Sequence, residues 1–201
     1  MLEQAEKGSV PAQYVVGYSY YLGVGVEQSY SEAFKWYKKA SENGFAAAQN
    51  TLGNMYANGR GVEQNFAEAV KWHRKAAEQG DSHAQFNLAN CYDKGEGVEQ
   101  DRSKAVEWWK KSAAQGNEVA AFNIGNNYFH GRGVEQSSSE ALKWWKKAAE
   151  KNYADAQYNI AVLYANGYGV EKNKYEGIKW FLKAAKNGNK NAIKALMNTL
   201  W

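Results

Sequence analysis

The stretch from residue 45 to residue 80, FAAAQNTLGNMYANGRGVEQNFAEAVKWHRKAAEQG, holds the whole architecture in one copy. Its first part, Ala48-Gln49-Asn50-Thr51-Leu52-Gly53-Asn54-Met55-Tyr56, places small or apolar residues three and four apart, as one face of a helix does. Gly59 and Gly61 then interrupt the pattern. Asn65 follows as a favoured N-cap, with Glu68 three residues later in capping-box spacing. The second helix carries Ala69, Trp72, Lys75 and Ala76 on repeating faces and stops at Gly80. The stretch therefore reads as a hairpin of two helices, A and B, joined by a glycine turn.

The same pattern recurs every 36 residues. The second turn glycine stands at Gly25, Gly61, Gly97, Gly133 and Gly169, and the first lies two residues before each. The helix stop stands at Gly8, Gly44, Gly80, Gly116, Asn152 and Gly188, and asparagine is the other residue that tolerates a left-handed backbone. A further column alternates Gly17, Gly53 and Gly125 with Ala89 and Ala161, which predicts close helix approach. The B-helix column Trp36, Trp72, Trp108, Trp144 and Trp180 keeps register with alanine and lysine, and reads as core. Another aromatic column is Tyr20, Tyr56, Tyr92, Tyr128 and Tyr164.

Neither helix of a hairpin buries its apolar stripe alone, and stacked hairpins bury it together. The expected fold is all-α, a right-handed α-solenoid of helix-turn-helix hairpins in a single domain over residues 1–201. Its five full repeats are 9–44, 45–80, 81–116, 117–152 and 153–188. Residues 1–8 align with the end of a helix B, as if cut from a preceding hairpin in a longer parent. Residues 189–201 read as a capping helix in which Met197 and Leu200 alter the pattern before Trp201.

Composition narrows function by exclusion. The formal charge of +4, from 25 basic and 21 acidic residues, is too mild for a dedicated nucleic-acid binder. No apolar run approaches the roughly 20 residues that span a bilayer, so membrane insertion is not expected. The single cysteine, Cys91, rules out an internal disulfide framework and reads as an inert, partly buried thiol. His73, His83 and His130 occupy three different columns and make no metal-ligand spacing. The Gly-x-Gly turn follows a helix rather than a strand and lacks the third glycine of a dinucleotide fingerprint. No Ser-x-x-Lys motif occurs. The column Lys38, Arg74, Lys110 and Lys146 reads as a solvated face of helix B. No enzyme activity and no cofactor are expected.

The combination Ala-Gln-x-x-Leu-Gly-x-x-Tyr (48–56), Gly-x-Gly-Val (59–62) and Glu-Ala-x-x-Trp-x-x-Lys-Ala-Ala (68–77) resembles the Sel1-like repeat family, a branch of the tetratricopeptide-like α-solenoids. That resemblance implies an adaptor or scaffold that assembles protein complexes. A cysteine-rich branch of the family staples each hairpin with a disulfide, and with one cysteine this chain departs from it. Cytoplasmic and bacterial periplasmic or secreted locations both fit the resemblance.

In such solenoids the inner, concave wall is lined by helix A residues that do not serve the hairpin core. The columns on that wall are Tyr14, Asn50, Phe86, Phe122, Tyr158, then Val15, Thr51, Asn87, Asn123, Asn159, then Tyr18, Asn54, Asn90, Asn126, Val162. One turn later come Tyr21, Ala57, Asp93, Phe129 and Leu22, Asn58, Lys94, His130, Asn166. Asparagines at the centre offer donors and acceptors without charge, and flanking aromatics suit interface anchors. The expected partner surface comprises Tyr14, Tyr18, Tyr21, Asn54, Phe86, Asn87, Asn90, Phe122, Asn123, Asn126, Phe129, His130 and Tyr158, with a peptide or protein as partner. The competing reading has position 14 and its equivalents packing against the next helix A. A repeat array with no partner, and a hydrolase by family association, are the other functional readings. Self-association through open solenoid ends is a further expectation.

Overall fold

In a computed structural model that describes residues 1–199, the described residues form twelve α-helices and no strand. Contacts divide the chain into two compact units, residues 1–101 and 102–201, which are considered separately. The first contains α1 (Leu2–Glu6), α2 (Val10–Leu22), α3 (Tyr30–Glu42), α4 (Ala46–Asn58), α5 (Phe66–Glu78) and α6 (Ser82–Lys94). The second contains α7 (Arg102–Ala114), α8 (Glu118–His130), α9 (Ser138–Glu150), α10 (Ala154–Asn166), α11 (Lys174–Lys186) and α12 (Lys190–Thr199). The predicted hairpins are α2–α3 and α4–α5 in one unit, and α8–α9 and α10–α11 in the other. The predicted substitution at Leu200 and the terminal Trp201 lie outside the described residues.

Each helix A ends where the first turn glycine takes a left-handed conformation and returns its N–H to the helix, as Gly59 does to the Met55 carbonyl. Each helix B starts at the predicted cap: the side chains of Ser29, Asn65, Ser137 and Asn173 accept from the backbone N–H of Glu32, Glu68, Glu140 and Glu176. Only half of the expected capping box forms. The N–H of each cap residue is already given to a tyrosine-column carbonyl, as Asn65 gives its own to Tyr56 at 2.9 Å and Asn173 to Tyr164 at 2.8 Å. The glutamate side chains therefore turn to the lysine three residues on, Glu68 to Lys71 and Glu176 to Lys179. Helix B ends at the stop column, where Asn152 is the non-glycine residue with positive φ, at 61°.

Hairpins are closed by a large residue of helix B resting on the small residue of helix A. A methyl added at Gly17 would lie 3.0 Å from the Tyr37 ring, and one at Gly53 would lie 2.7 Å from His73. At Gly125 it would overlap the ring of Trp145. These partners are not the tryptophans expected as core but the residues immediately after them. Tyr37, His73, Trp109 and Trp145 are all buried. Of the tryptophan column expected as core, Trp36 and Trp72 are buried as well, whereas Trp108, Trp144 and Trp180 are only half-buried. These three tryptophans border the core, and they present a ring face to lysine one turn on, with Lys111 3.8 Å from the Trp108 centroid and Lys147 4.2 Å from Trp144. An even heptad-like stripe could not separate neighbours at i and i+1, because both lie near the same wide apolar face.

Successive repeats are tied by a buried glutamine column. Nε2 of Gln49 donates to the Ser41 carbonyl at 3.0 Å and Nε2 of Gln85 to the Ala77 carbonyl at 3.2 Å. In the second unit Gln157 does the same to Ala149. Each bond adds a second donor to a carbonyl at the end of the preceding helix B that already accepts the N–H of the stop residue, as Ser41 does from Gly44. The basic column has a similar duty: Arg74 donates to the Tyr92 hydroxyl at 2.9 Å and Lys110 to the Tyr128 hydroxyl at 3.1 Å.

Candidate functional site

The predicted surface falls on the A helices, and each unit carries its own part. In the first unit Asn87 on α6 reaches back to α4, donating from Nδ2 to Asn50 Oδ1 at 3.0 Å and to Asn54 Oδ1 at 3.1 Å. Asn50 Oδ1 also meets His73 Nδ1 at 3.0 Å, which requires the Nδ1–H tautomer because the amide oxygen only accepts. In the second unit Asn126 Oδ1 accepts from Trp145 Nε1 at 3.2 Å and from Asn159 Nδ2 at 3.4 Å. The asparagines thus form a ladder between consecutive A helices. Their side chains are held by one another within the chain, an arrangement that fixes their orientation.

His73 is 2% exposed. Burial lowers its imidazole from 6.5 to about 4, so the ring is neutral at physiological pH. The unfolded chain takes up this proton near the ordinary value and the folded chain does not until about pH 4. Stability is therefore fully present above about pH 6.5 and lost as pH falls toward 4, by up to about 3 kcal/mol. His73→Tyr, which installs the residue found at Tyr37, is expected to flatten this acid-side loss in urea titrations between about pH 7 and pH 4.5. An unchanged slope would assign the loss to other groups.

The aromatic positions differ in exposure. Phe122 lies 5.0 Å from Tyr153, Phe129 lies 5.5 Å from Trp145, and Tyr158 lies 5.7 Å from Phe181, centroid to centroid. All three are half-buried, as are Phe86, Asn90 and Asn123. One face of each ring packs and the remainder reaches solvent, so packing and display are both served. His130 is exposed and, with Asn126, Phe129, Asn159 and Val162, rims a cavity of about 100 Å³ floored by Trp145.

In the first unit Tyr14, Tyr18 and Tyr21 converge with Tyr37 around a cavity of about 170 Å³, closed from α4 by Thr51, Asn54 and Met55. Tyr37 is its buried floor, with burial and the neighbouring tyrosines raising its phenol well above the ordinary range. Tyr18 is 50% exposed and forms the open side. Arg60 stands at the outer edge, bonded to the Tyr21 hydroxyl and 5.9 Å from the centroids of both Tyr21 and Tyr30. Tyr37 and Arg60 were outside the predicted set. The signal for Tyr37 was available, because its column reads Tyr37, His73, Trp109, Trp145, Phe181 and is cyclic throughout.

A roomier cleft of about 620 Å³ lies elsewhere, at the ends of α9 and α11, where Lys146, Lys183 and Lys186 surround Trp180. Lys183 and Lys186 stand in the last turn of α11 and answer the negative end of that helix. Cys91 is buried, and burial raises its thiol to about 11, consistent with an unreactive side chain. Among the described residues no group of three or more histidine, cysteine or acidic side chains is placed to hold a metal ion. No described helix is long and apolar enough to cross a membrane.

These features define an all-α protein of helical hairpins. The chain belongs to the Sel1 repeat family: five Sel1 repeats match at residues 10–45, 46–81, 82–117, 119–153 and 154–189. A protective antigen present in uropathogenic Escherichia coli strains, displaying an SLR fold, is 40% identical with a TM-score of 0.92 over 94% of this chain. The match spans 40% of that longer chain. A Sel1 repeat protein from Oxalobacter formigenes is 37% identical with a TM-score of 0.85, covering 94% of this chain and 77% of that one. An immunity protein from Pseudomonas aeruginosa shares the fold at 20% identity and a TM-score of 0.55, covering 91% of this chain and 67% of that one. Comparison with curated proteins returned no match.

Proposed function

We propose that the protein is a non-catalytic interaction scaffold that holds a peptide or protein partner on its A-helix face. In the first unit that face centres on Tyr14, Tyr18, Tyr21, Asn54, Phe86, Asn87 and Asn90. In the second it centres on Phe122, Asn123, Asn126, Phe129, His130 and Tyr158. The observation that carries this reading is the contrast between faces. The tryptophan and lysine columns of helix B, at Trp36 and Lys39 and their equivalents, repeat unchanged, whereas the columns of the A-helix face, at Tyr14, Val15, Tyr18 and Tyr21 and their equivalents, vary within a hydrogen-bonded frame. Variation on a rigid frame is how repeat proteins acquire partner specificity. Oriented amides supply polar complementarity and part-exposed aromatics supply anchors.

The test is site-specific photocrosslinking in the cells of origin. A photoreactive residue at position 18 or 130 is expected to give a discrete adduct with one partner. The same residue at exposed Lys143 on helix B serves as the control. Equal adduct patterns from both faces, or no adduct from either A-helix position, would overturn the assignment.

A further inference from the structure

Three tyrosines of the first repeat, Tyr18, Tyr21 and Tyr37, depart from the period together beside Tyr14. Position 18 is otherwise asparagine or valine, position 21 is otherwise alanine, aspartate or phenylalanine, and position 37 is tyrosine in this repeat alone. Their rings are inclined rather than stacked, Tyr14 to Tyr37 at 54° and Tyr21 to Tyr37 at 63°, with centroids 5.4 and 6.4 Å apart. Tyr14 and Tyr21 pack at an incline against the buried Tyr37, and a space remains open beside the three rings and Tyr18. The resulting cavity of about 170 Å³ is of the size that accepts one benzene-sized group. No lysine, arginine, aspartate or glutamate lines it.

From this geometry we infer that the Tyr14, Tyr18, Tyr21 and Tyr37 cavity is an aromatic cage for a diffuse cation, a methylated ammonium or guanidinium group borne by the partner. Phenol faces carry negative quadrupole potential, and a diffuse, weakly hydrated cation gains from them at little desolvation cost. Tyr21 already takes a guanidinium, that of Arg60, at its outer edge. The buried Tyr37 phenol stays neutral, so the cage attracts through its ring faces and not through a phenolate. Thr51 Oγ1 donates its proton to the Ala47 carbonyl at 2.9 Å, which leaves the hydroxyl at the cavity lining with acceptor capacity only. The inference rests on the A-helix face being the partner surface, and it assigns the chemistry of one anchor there.

The test uses tetramethylammonium, with tert-butanol as a neutral probe of similar shape and acetate as an anionic one. Binding to the full chain is read from the NMR shifts of isotope-labelled tyrosine rings. Tetramethylammonium is expected to give saturable shifts with tert-butanol at least about fivefold weaker. Tyr18→Leu, at a half-exposed ring that the core does not need, is expected to weaken the cation by a similar factor. Tyr18→Phe, which keeps the ring face, is expected to stay within about twofold. Tert-butanol binding as well as the cation would make the cavity an apolar anchor site. Preferred binding of acetate would make Arg60 the recognition element. Either result, a Tyr18→Leu chain that binds undiminished, or the absence of any saturable shift overturns the inference. Because the titration needs no partner, its outcome is independent of the crosslinking result.

Discussion

Gly61→Ala is expected to destabilise the protein by about 3 kcal/mol, and Gly25→Ala, the same substitution at the same motif position, by only about 1 kcal/mol. Both glycines are left-handed, with φ of 72° and 75°, so both substitutions carry the same backbone strain. Their surroundings differ. A methyl on Gly61 would overlap the Tyr30 carbonyl at the start of the preceding helix B, and backbone at a helix start cannot yield as a side chain can. A methyl on Gly25 meets nothing within 4 Å. Urea midpoints for the two variants and the parent measure the difference. Equal losses would show that the column serves turn conformation alone and not repeat stacking.

The second large effect is expected at Trp145→Ala, at about 3 to 5 kcal/mol. Trp145 is 2% exposed, rests on Gly125, and donates to Asn126 from α9 to α8. Its removal leaves a void bounded by two helices and takes one donor from the asparagine ladder. Trp144→Ala, one residue away, is expected to cost about 1 to 2 kcal/mol. That ring is half-buried, and its loss removes chiefly edge packing and the Lys147 contact. Trp145→Phe separates the two contributions at Trp145. It keeps most of the packing and loses the N–H, at about 1 kcal/mol. Thermal and urea melts followed by circular dichroism measure all three. Matching losses for Trp144→Ala and Trp145→Ala would contradict the assignment of the deeper position to the core.

Helix limits were legible because the signals that set them are local. An N-cap side chain such as Asn65 and a stop such as Gly80 act within a few residues of where they stand. The small column at Gly17, Gly53 and Gly125 announced a close approach, but its partner was hidden. A glycine reports that something comes near without saying what, and Trp144 and Trp145 are alike in composition. The capping box was half-legible for a similar reason. Its Ser or Asn and its Glu are local, while the Tyr56 carbonyl that takes the cap N–H lies nine residues back across the turn.

The candidate site was legible as a set of columns and not as contacts. Asn54, Asn87 and Asn126 were recognisable as members of a polar face. That Asn87 spans to two asparagines one repeat earlier follows from the stacking distance between A helices, which no sequence spacing states. Likewise Tyr14, Tyr18 and Tyr21 share a helix face, whereas Tyr37 and Met55 join them from other helices.

By itself the sequence determined the hairpins, their period of 36 residues and their membership of the Sel1 repeat family, because periodicity, caps and glycine turns are properties of chain segments. Tertiary structure alone decided which of two adjacent aromatics enters the core, which asparagines bond to one another, and which glycines lie against a neighbouring backbone. Gly25 and Gly61 show the reason most directly. They share motif and conformation, and only the packing of one hairpin on another makes Gly61 the costlier to replace.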